Sequence, residues 1–164
     1  MTEAPERYVG GGVPRKEDPA LVTGRANWTD NIKIPGMLHM AVLRSPFAHA
    51  KITNLDVSAA LDQPGVVAAF TANDLADDWA AAMPCAWPVT EDIKMPDHWP
   101  LAKDEVNFMG DAVAVVIADG KYTVQDALEF IEVDYEPLDV VVDMEEAIKD
   151  DAPLVHEDLG TNTS

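Results

Sequence analysis

The chain has 164 residues, 48% of them hydrophobic, with a formal net charge of -19, so one core can bury enough apolar surface to offset chain entropy and a single domain is expected. The charge is uneven: residues 1–51 carry seven basic and five acidic side chains, the remainder four and 25. Such an acid excess excludes the basic face that nucleic-acid phosphates require, and no apolar run approaches the roughly 18 residues of a membrane-spanning helix.

The N-terminus has neither a basic start nor an apolar signal core, so a cytoplasmic location is expected. Cys85 is the only cysteine, which rules out an intrachain disulfide and a thiolate cage built by this chain alone. With no basic residue or histidine beside it in Met-Pro-Cys-Ala-Trp-Pro, it reads as a small, partly buried thiol. Asp supplies 19 of the 30 acidic residues. Two readings of the acidity stand: a solvated surface suited to a high-salt cytoplasm, or a face for a basic partner subunit.

Residues 1–17 are polar and contain Gly10, Gly11 and Gly12, which reads as an extended arm. The triple glycine lacks the preceding strand and following helix of a phosphate-binding loop. Asp18-Pro19 suits an N-cap with proline at the first helical position, opening a short turn through Val22 that Gly24 stops. Pro35-Gly36 marks a turn, and Met37 to Leu43 reads as a buried strand ended by Arg44-Ser45-Pro46. Lys51 to Asp56 alternates as a second strand with Ile52 inward. Ser58 is a candidate cap for a helix through Leu61, ended by Pro64-Gly65, and Val66 to Phe70 is a further strand.

Thr71 and Asp74 have the spacing of a capping box that opens another short helix. Residues 76–100 lose regularity but hold four prolines and Trp79, Trp87 and Trp99, predicting an ordered loop pinned by indoles. Ala112 to Ala118 is an unbroken apolar run between Gly110-Asp111 and Asp119-Gly120, consistent with a central strand covered on both faces. Thr123 is a candidate cap for a helix with Val124, Ala127, Leu128 and Ile131 at helical spacing. The period then shortens to two, with Ile131, Val133 and Tyr135 on one side of a half-exposed strand. Pro137 stops its pairing, and Asp143 caps a last helix through Ala147 and Ile148. This order predicts an α+β or α/β domain with a mixed sheet and two to four short helices packed on it.

Few constellations suggest chemistry. His39, His49, His98 and His156 are scattered without i, i+4 pairing, so four structural histidines are expected rather than a metal site. Asp134 and Glu136 flank Tyr135, but period-two spacing puts them on an outer, solvated face rather than in an acid–base pair. Lys94 in Ile-Lys-Met-Pro sits in a proline-rich loop, not at the tight hairpin that presents the lysine of biotin or lipoyl carriers. No catalytic, cofactor-binding or metal-ligating residue is assigned.

Several fragments together resemble one family. They are Arg15 with Glu17-Asp18, Thr23-Gly24, Asp30, PGMLHMAVLRSPFAHAKI from Pro35 to Ile52, Pro64-Gly65-Val66, Gly110 with Ala112-Val113-Ala114, Tyr122, Ala127, VDYEPL from Val133 to Leu138, LVHE from Leu154 to Glu157, and Gly160-Thr161-Asn162. In this order and spacing the chain resembles the N-terminal α/β-hammerhead domain of the aldehyde oxidase, xanthine dehydrogenase and carbon monoxide dehydrogenase large subunits. Family members commonly carry Gly-Glu-Pro or Gly-Gln-Pro where this chain has Gly110-Asp111-Ala112.

The resemblance implies an α/β-hammerhead fold over residues 18–158, preceded by the arm and followed at 159–164 by the start of a linker to a molybdenum-binding domain. It implies that the pterin-bound molybdenum, the substrate channel and the catalytic glutamate lie in other domains, and that this chain alone is inactive. The parent oxidoreductase complex would carry a molybdopterin-type cofactor, 2Fe-2S clusters and FAD, which supply the redox chemistry. The implied partners are the molybdenum-binding portion, an iron-sulfur subunit and a flavin subunit. Arg44, Ser45, Phe47 and His49, with Gly110 and Asp111, are the candidate contact residues. The alternative expectation is a stand-alone small-molecule binding module closed by the Trp-rich loop.

Overall fold

A computed structural model describes residues 9–84 and 89–163; Cys85 and Trp87 lie outside the described residues. Residues 1–37 and 38–164 are two compact units. In the first, α1 (Asp18–Val22) follows an Arg15–Asp18 ion pair of 3.1 Å. Asp18 is already helical and Glu17 occupies the cap position, so the carboxylate serves the preceding Arg15 rather than the helix end.

The second unit contains β1 (His39–Arg44), β2 (Ala50–Asp56), α2 (Ser58–Leu61), β3 (Val66–Thr71), α3 (Ala72–Leu75), β4 (Glu105–Val106), β5 (Ala112–Ala118), α4 (Lys121–Ala127), β6 (Glu132–Pro137) and α5 (Met144–Ala147). The strands form two three-stranded sheets, ordered β1-β5-β3 and β4-β2-β6, and every pairing is antiparallel. The α+β hammerhead class is as expected; the single mixed sheet is replaced by two antiparallel ones. Consecutive strands always belong to different sheets, so strand order in the sequence does not reveal the partners.

Strand β5 explains its unbroken apolar run by serving three cores at once. Val116 and Ala118 meet Ala41, Ala60, Ala69, Val124 and Ala127 beneath α2 and α4. Val113 joins Ala50, Ala102 and Val106 at the second sheet, with Phe47, Ile52, Val133 and Tyr135 around them. Val115 packs with Ala72 and Leu101, flanked by Val42, Phe70, Leu75 and Trp79. Most of the helix contacts on the first sheet are made by alanines, so α2 and α4 lie close to the strands and their short length suffices.

Local chemistry departs from expectation at several ends. Val57 rather than Ser58 occupies the cap position of α2; the amide of Ser58 donates to Asp56 Oδ1 at 2.8 Å, and the hydrogen bonds from the Ser58 side chain and amide hold the Asp56 carboxyl below the usual range. Helix α4 starts at Lys121, leaving Thr123 inside its first turn; a Cβ on Gly120 would come within 2.8 Å of Thr123 Oγ1, so a side chain there must displace that hydroxyl. The Thr71–Asp74 and Asp143 caps form as predicted. Strand β4 carries too few residues to show a period. Around the Trp-rich loop, Met83 bridges to His98, and Trp79 stacks on Trp99 at 5.7 Å.

Candidate functional site

The candidate contact residues converge. Loop 45–49 carries the chain from β1 in the first sheet to β2 in the second, and residues 107–111 carry it back from β4 to β5. The two crossings are stitched together. Arg44 Nη1 donates to the Gly110 carbonyl at 2.8 Å, the Gly110 amide to the Ser45 carbonyl at 2.9 Å, and the Ser45 amide to the Asp111 carbonyl at 2.8 Å. A register shift at Leu43/Arg44 turns the Arg44 side chain toward this junction. Gly110 has φ +96°, a conformation that an L side chain resists.

Within the junction Ser45, His49 and Asp111 are buried, and their polar atoms serve this chain. Ser45 Oγ accepts from the Phe47 amide at 3.0 Å, and Asp111 Oδ2 accepts from the Asn107 amide at 3.2 Å. Phe47 packs on Tyr135 at 5.1 Å, and burial pushes the Tyr135 phenol up despite the Ser45 hydrogen bond. The imidazole of His49 lies between the Asp139 carbonyl, 2.9 Å from Nδ1, and Glu105 Oε1, 2.8 Å from Nε2. Burial alone would lower its pKa. The hydrogen bonds to Asp139 and Glu105, with the charges of Glu105 and Glu157, outweigh burial and raise it. The junction leaves Arg44, Pro46 and the apolar pair Phe108 and Met109 exposed, Met109 at 74%; sequence reasoning missed the Phe108–Met109 pair because two apolar residues in a loop carry no period.

An apolar groove of about 290 Å³ opens on the first sheet, on the face away from α2 and α4. Val42, Val115 and Ala112 form its floor, Leu75, Trp79 and Leu101 one side, and Met40 and Arg44 its open edge. Met40 is 66% exposed although its neighbour Ala41 is buried. The strand begins at His39 rather than Met37 and is covered mainly on its Ala41 face, correcting the expectation of a buried strand from Met37 to Leu43.

A second cleft, of about 390 Å³, is lined by Glu105, Asp111, Glu157, His98 and His156 among others. It draws on four separate stretches of sequence, so spacing could not reveal it. Among the described residues no three His, Cys, Asp or Glu side chains are grouped to hold a metal ion, and nothing in the cleft fits a molybdenum or iron-sulfur ligand set. Of the indoles in the Trp-rich loop that are described, Trp79 and Trp99 stack on one another, and Lys103 Nζ sits 3.6 Å from the centroid of Trp99. Asp134 and Glu136 are exposed on β6, as their spacing predicts.

Comparison with known proteins places this geometry. The profile of the family described as "Aldehyde oxidase and xanthine dehydrogenase, a/b hammerhead domain" matches residues 23–139. The carbon monoxide dehydrogenase large chain of Hydrogenophaga pseudoflava is 42% identical over 99% of this chain and 20% of its own length. The xanthine dehydrogenase molybdenum-binding subunit of Escherichia coli O157:H7 is 34% identical over 84% of this chain and 18% of its own. Among solved structures, a Cu,Mo-CO dehydrogenase in its carbon monoxide reduced state matches with a TM-score of 0.76 and 40% identity, over 90% of this chain and 18% of that one. This chain thus spans about a fifth of the length of these relatives, and it belongs to the aldehyde oxidase and xanthine dehydrogenase α/β-hammerhead family.

Proposed function

We propose that this chain is a non-catalytic scaffold portion of a molybdenum hydroxylase, an oxidoreductase of the carbon monoxide dehydrogenase and xanthine dehydrogenase class, and that it packs against the molybdenum-binding remainder of the large chain. The observation that carries this reading is the open apolar groove on the first sheet. A sheet face that leaves Met40 exposed and Val42 and Trp79 only half-buried gains stability when another surface covers it. The relatives supply the occupant: four-fifths of their length lies outside the matched region, and one is a molybdenum-binding subunit by name. In this reading molybdenum, 2Fe-2S clusters and FAD are held elsewhere in the complex and carry the electrons, while an iron-sulfur subunit is a second neighbour.

The test is to recover the protein from its source under native conditions, then size it and assay molybdenum and iron. The 164 residues are expected in an assembly with a molybdenum-binding polypeptide several times their length, and Met40→Asp is expected to weaken that association. Recovery as a free 17.8 kDa chain with no molybdenum, unaltered by Met40→Asp, refutes the proposal.

A further inference from the structure

We infer that His49 is a doubly protonated latch that fastens residues 138–162 to the body of the fold, and that loss of its proton releases this segment. Both ring nitrogens face acceptors, the Asp139 carbonyl at 2.9 Å and Glu105 Oε1 at 2.8 Å. A neutral imidazole has one N–H and can satisfy only one of them; the imidazolium satisfies both. The acceptors are fixed from other directions. Asn107 Nδ2 donates to the same Glu105 oxygen at 3.1 Å and to the Val155 carbonyl at 2.7 Å, and the Leu138 amide donates to the His49 carbonyl at 3.0 Å. The ring therefore stands at the hub of polar ties that reach both Asp139 and Val155.

The segment depends on these ties because burial does little to hold it. No residue from 138 to 163 is fully buried, and Val142 and Met144 are 87% and 85% exposed. Within the segment, Asn162 closes a loop by accepting from the Val155 amide at 2.9 Å and donating to the carbonyls of Ala147 and Pro153 at 3.0 and 2.8 Å. Residues 147–162 are thus tied to one another, and one exposed bond, from Lys94 Nζ to the Leu159 carbonyl at 3.2 Å, reaches them from the body besides the His49 hub. The charges acting on the ring come from Glu105 of β4 and Glu157 of the last 3-10 turn, while the stretch after β6 supplies the Asp139 carbonyl.

His49 titrates above its ordinary 6.5, so the latch is fully closed below about pH 6.5 and is lost as pH rises through the folded value. Each unit of separation between those values corresponds to about a tenfold change in segment opening.

The experiment follows the imidazole nitrogens of His49 and the amide exchange of Leu138, Val155 and Val116 by NMR from pH 5.5 to 8.5 in the 164-residue chain. At the acid end both His49 nitrogens are expected to be protonated. Corrected for intrinsic exchange, the protection of Leu138 and Val155 is expected to fall through the His49 midpoint, by about tenfold for each unit that this midpoint lies above 6.5, while that of Val116, in the core, stays level. Glu105→Gln is expected to lower both midpoints together, and His49→Gln to make segment protection independent of pH. Segment protection unchanged across the His49 titration, an unprotonated His49 nitrogen at pH 5.5, or a Glu105→Gln midpoint that moves for the ring alone would each overturn the proposal.

Discussion

Met40 and Ala41 are consecutive on β1 yet face opposite environments, which makes them a paired test of the architecture. Ala41 is 5% exposed and packs among Ala69, Val116 and Ala118; Met40 lies at the open edge of the groove. Ala41→Asp puts a carboxyl where only a methyl fits. Overpacking costs about 1–3 kcal/mol, and a buried carboxyl without a partner adds about 1–3 kcal/mol if it is protonated and more if it stays charged. The total, about 2–6 kcal/mol, is a large share of the roughly 5–15 kcal/mol that holds a domain together. Met40→Asp in the isolated chain should cost no more than about 0.5 kcal/mol. Urea unfolding at pH 7, followed by tryptophan fluorescence and circular dichroism, separates the two midpoints. In the assembled large chain Met40→Asp should cost at least the roughly 1.5–3 kcal/mol of a covered methionine. Equal midpoints for the two variants in the isolated chain refute the one-sided strand, and with it the open groove.

Other substitutions probe separate features. Asn162→Ala removes three hydrogen bonds and should raise the rate of limited proteolysis between residues 147 and 155 with a loss of about 1–3 kcal/mol. Gly120→Ala forces a contact with Thr123 Oγ1 and should lower thermal stability by about 1–3 kcal/mol; the double variant with Thr123→Ala should recover most of that loss. Asp74 is held below the usual carboxylate range by the Thr71 amide and hydroxyl, at 2.7 Å each. Its contribution is present above the unfolded carboxylate pKa of about 3.9 and lost as pH falls through the folded value. Asp74→Ala should therefore cost about 1 kcal/mol at pH 7, a difference that shrinks in urea titrations below about pH 4.

What the sequence disclosed follows from what leaves a period. Ala112 to Ala118 was legible because β5 is the middle strand of its sheet, buried over most of its length, and its flanking Gly-Asp and Asp-Gly pairs mark both ends. The change from helical to alternating spacing near Ile131 located the start of β6, whereas α4 ends earlier, at Ala127, and a 3-10 turn from Leu128 to Phe130 continues the helical spacing up to Ile131. Strand pairing was not legible, because each partner lies far away in the chain and no turn fixes the register. At the junction, the family fragments brought Arg44, Ser45, Phe47, His49, Gly110 and Asp111 to attention, and the structure gathers all six. Their spacing did not disclose that Ser45, His49 and Asp111 turn inward, since a polar residue in a loop gives no sign of whether protein or water will be its partner. The acidic cleft stayed hidden because it is assembled from stretches that share no local pattern.

The alternation of consecutive strands between the two sheets also governs how the molecule must be made. Among the described residues no two consecutive strands form a hairpin that could zip up early; even Thr71 and Ala114, the strand partners nearest in sequence, are separated by the whole Trp-rich segment. The first sheet lacks its middle strand until Ala118 has left the ribosome, and the second lacks an edge until Pro137 follows. Folding should consequently be late, concerted and slow for a chain of this size. A nascent chain arrested near residue 110 would display unpaired strand edges, and chaperone capture at that length is the natural consequence.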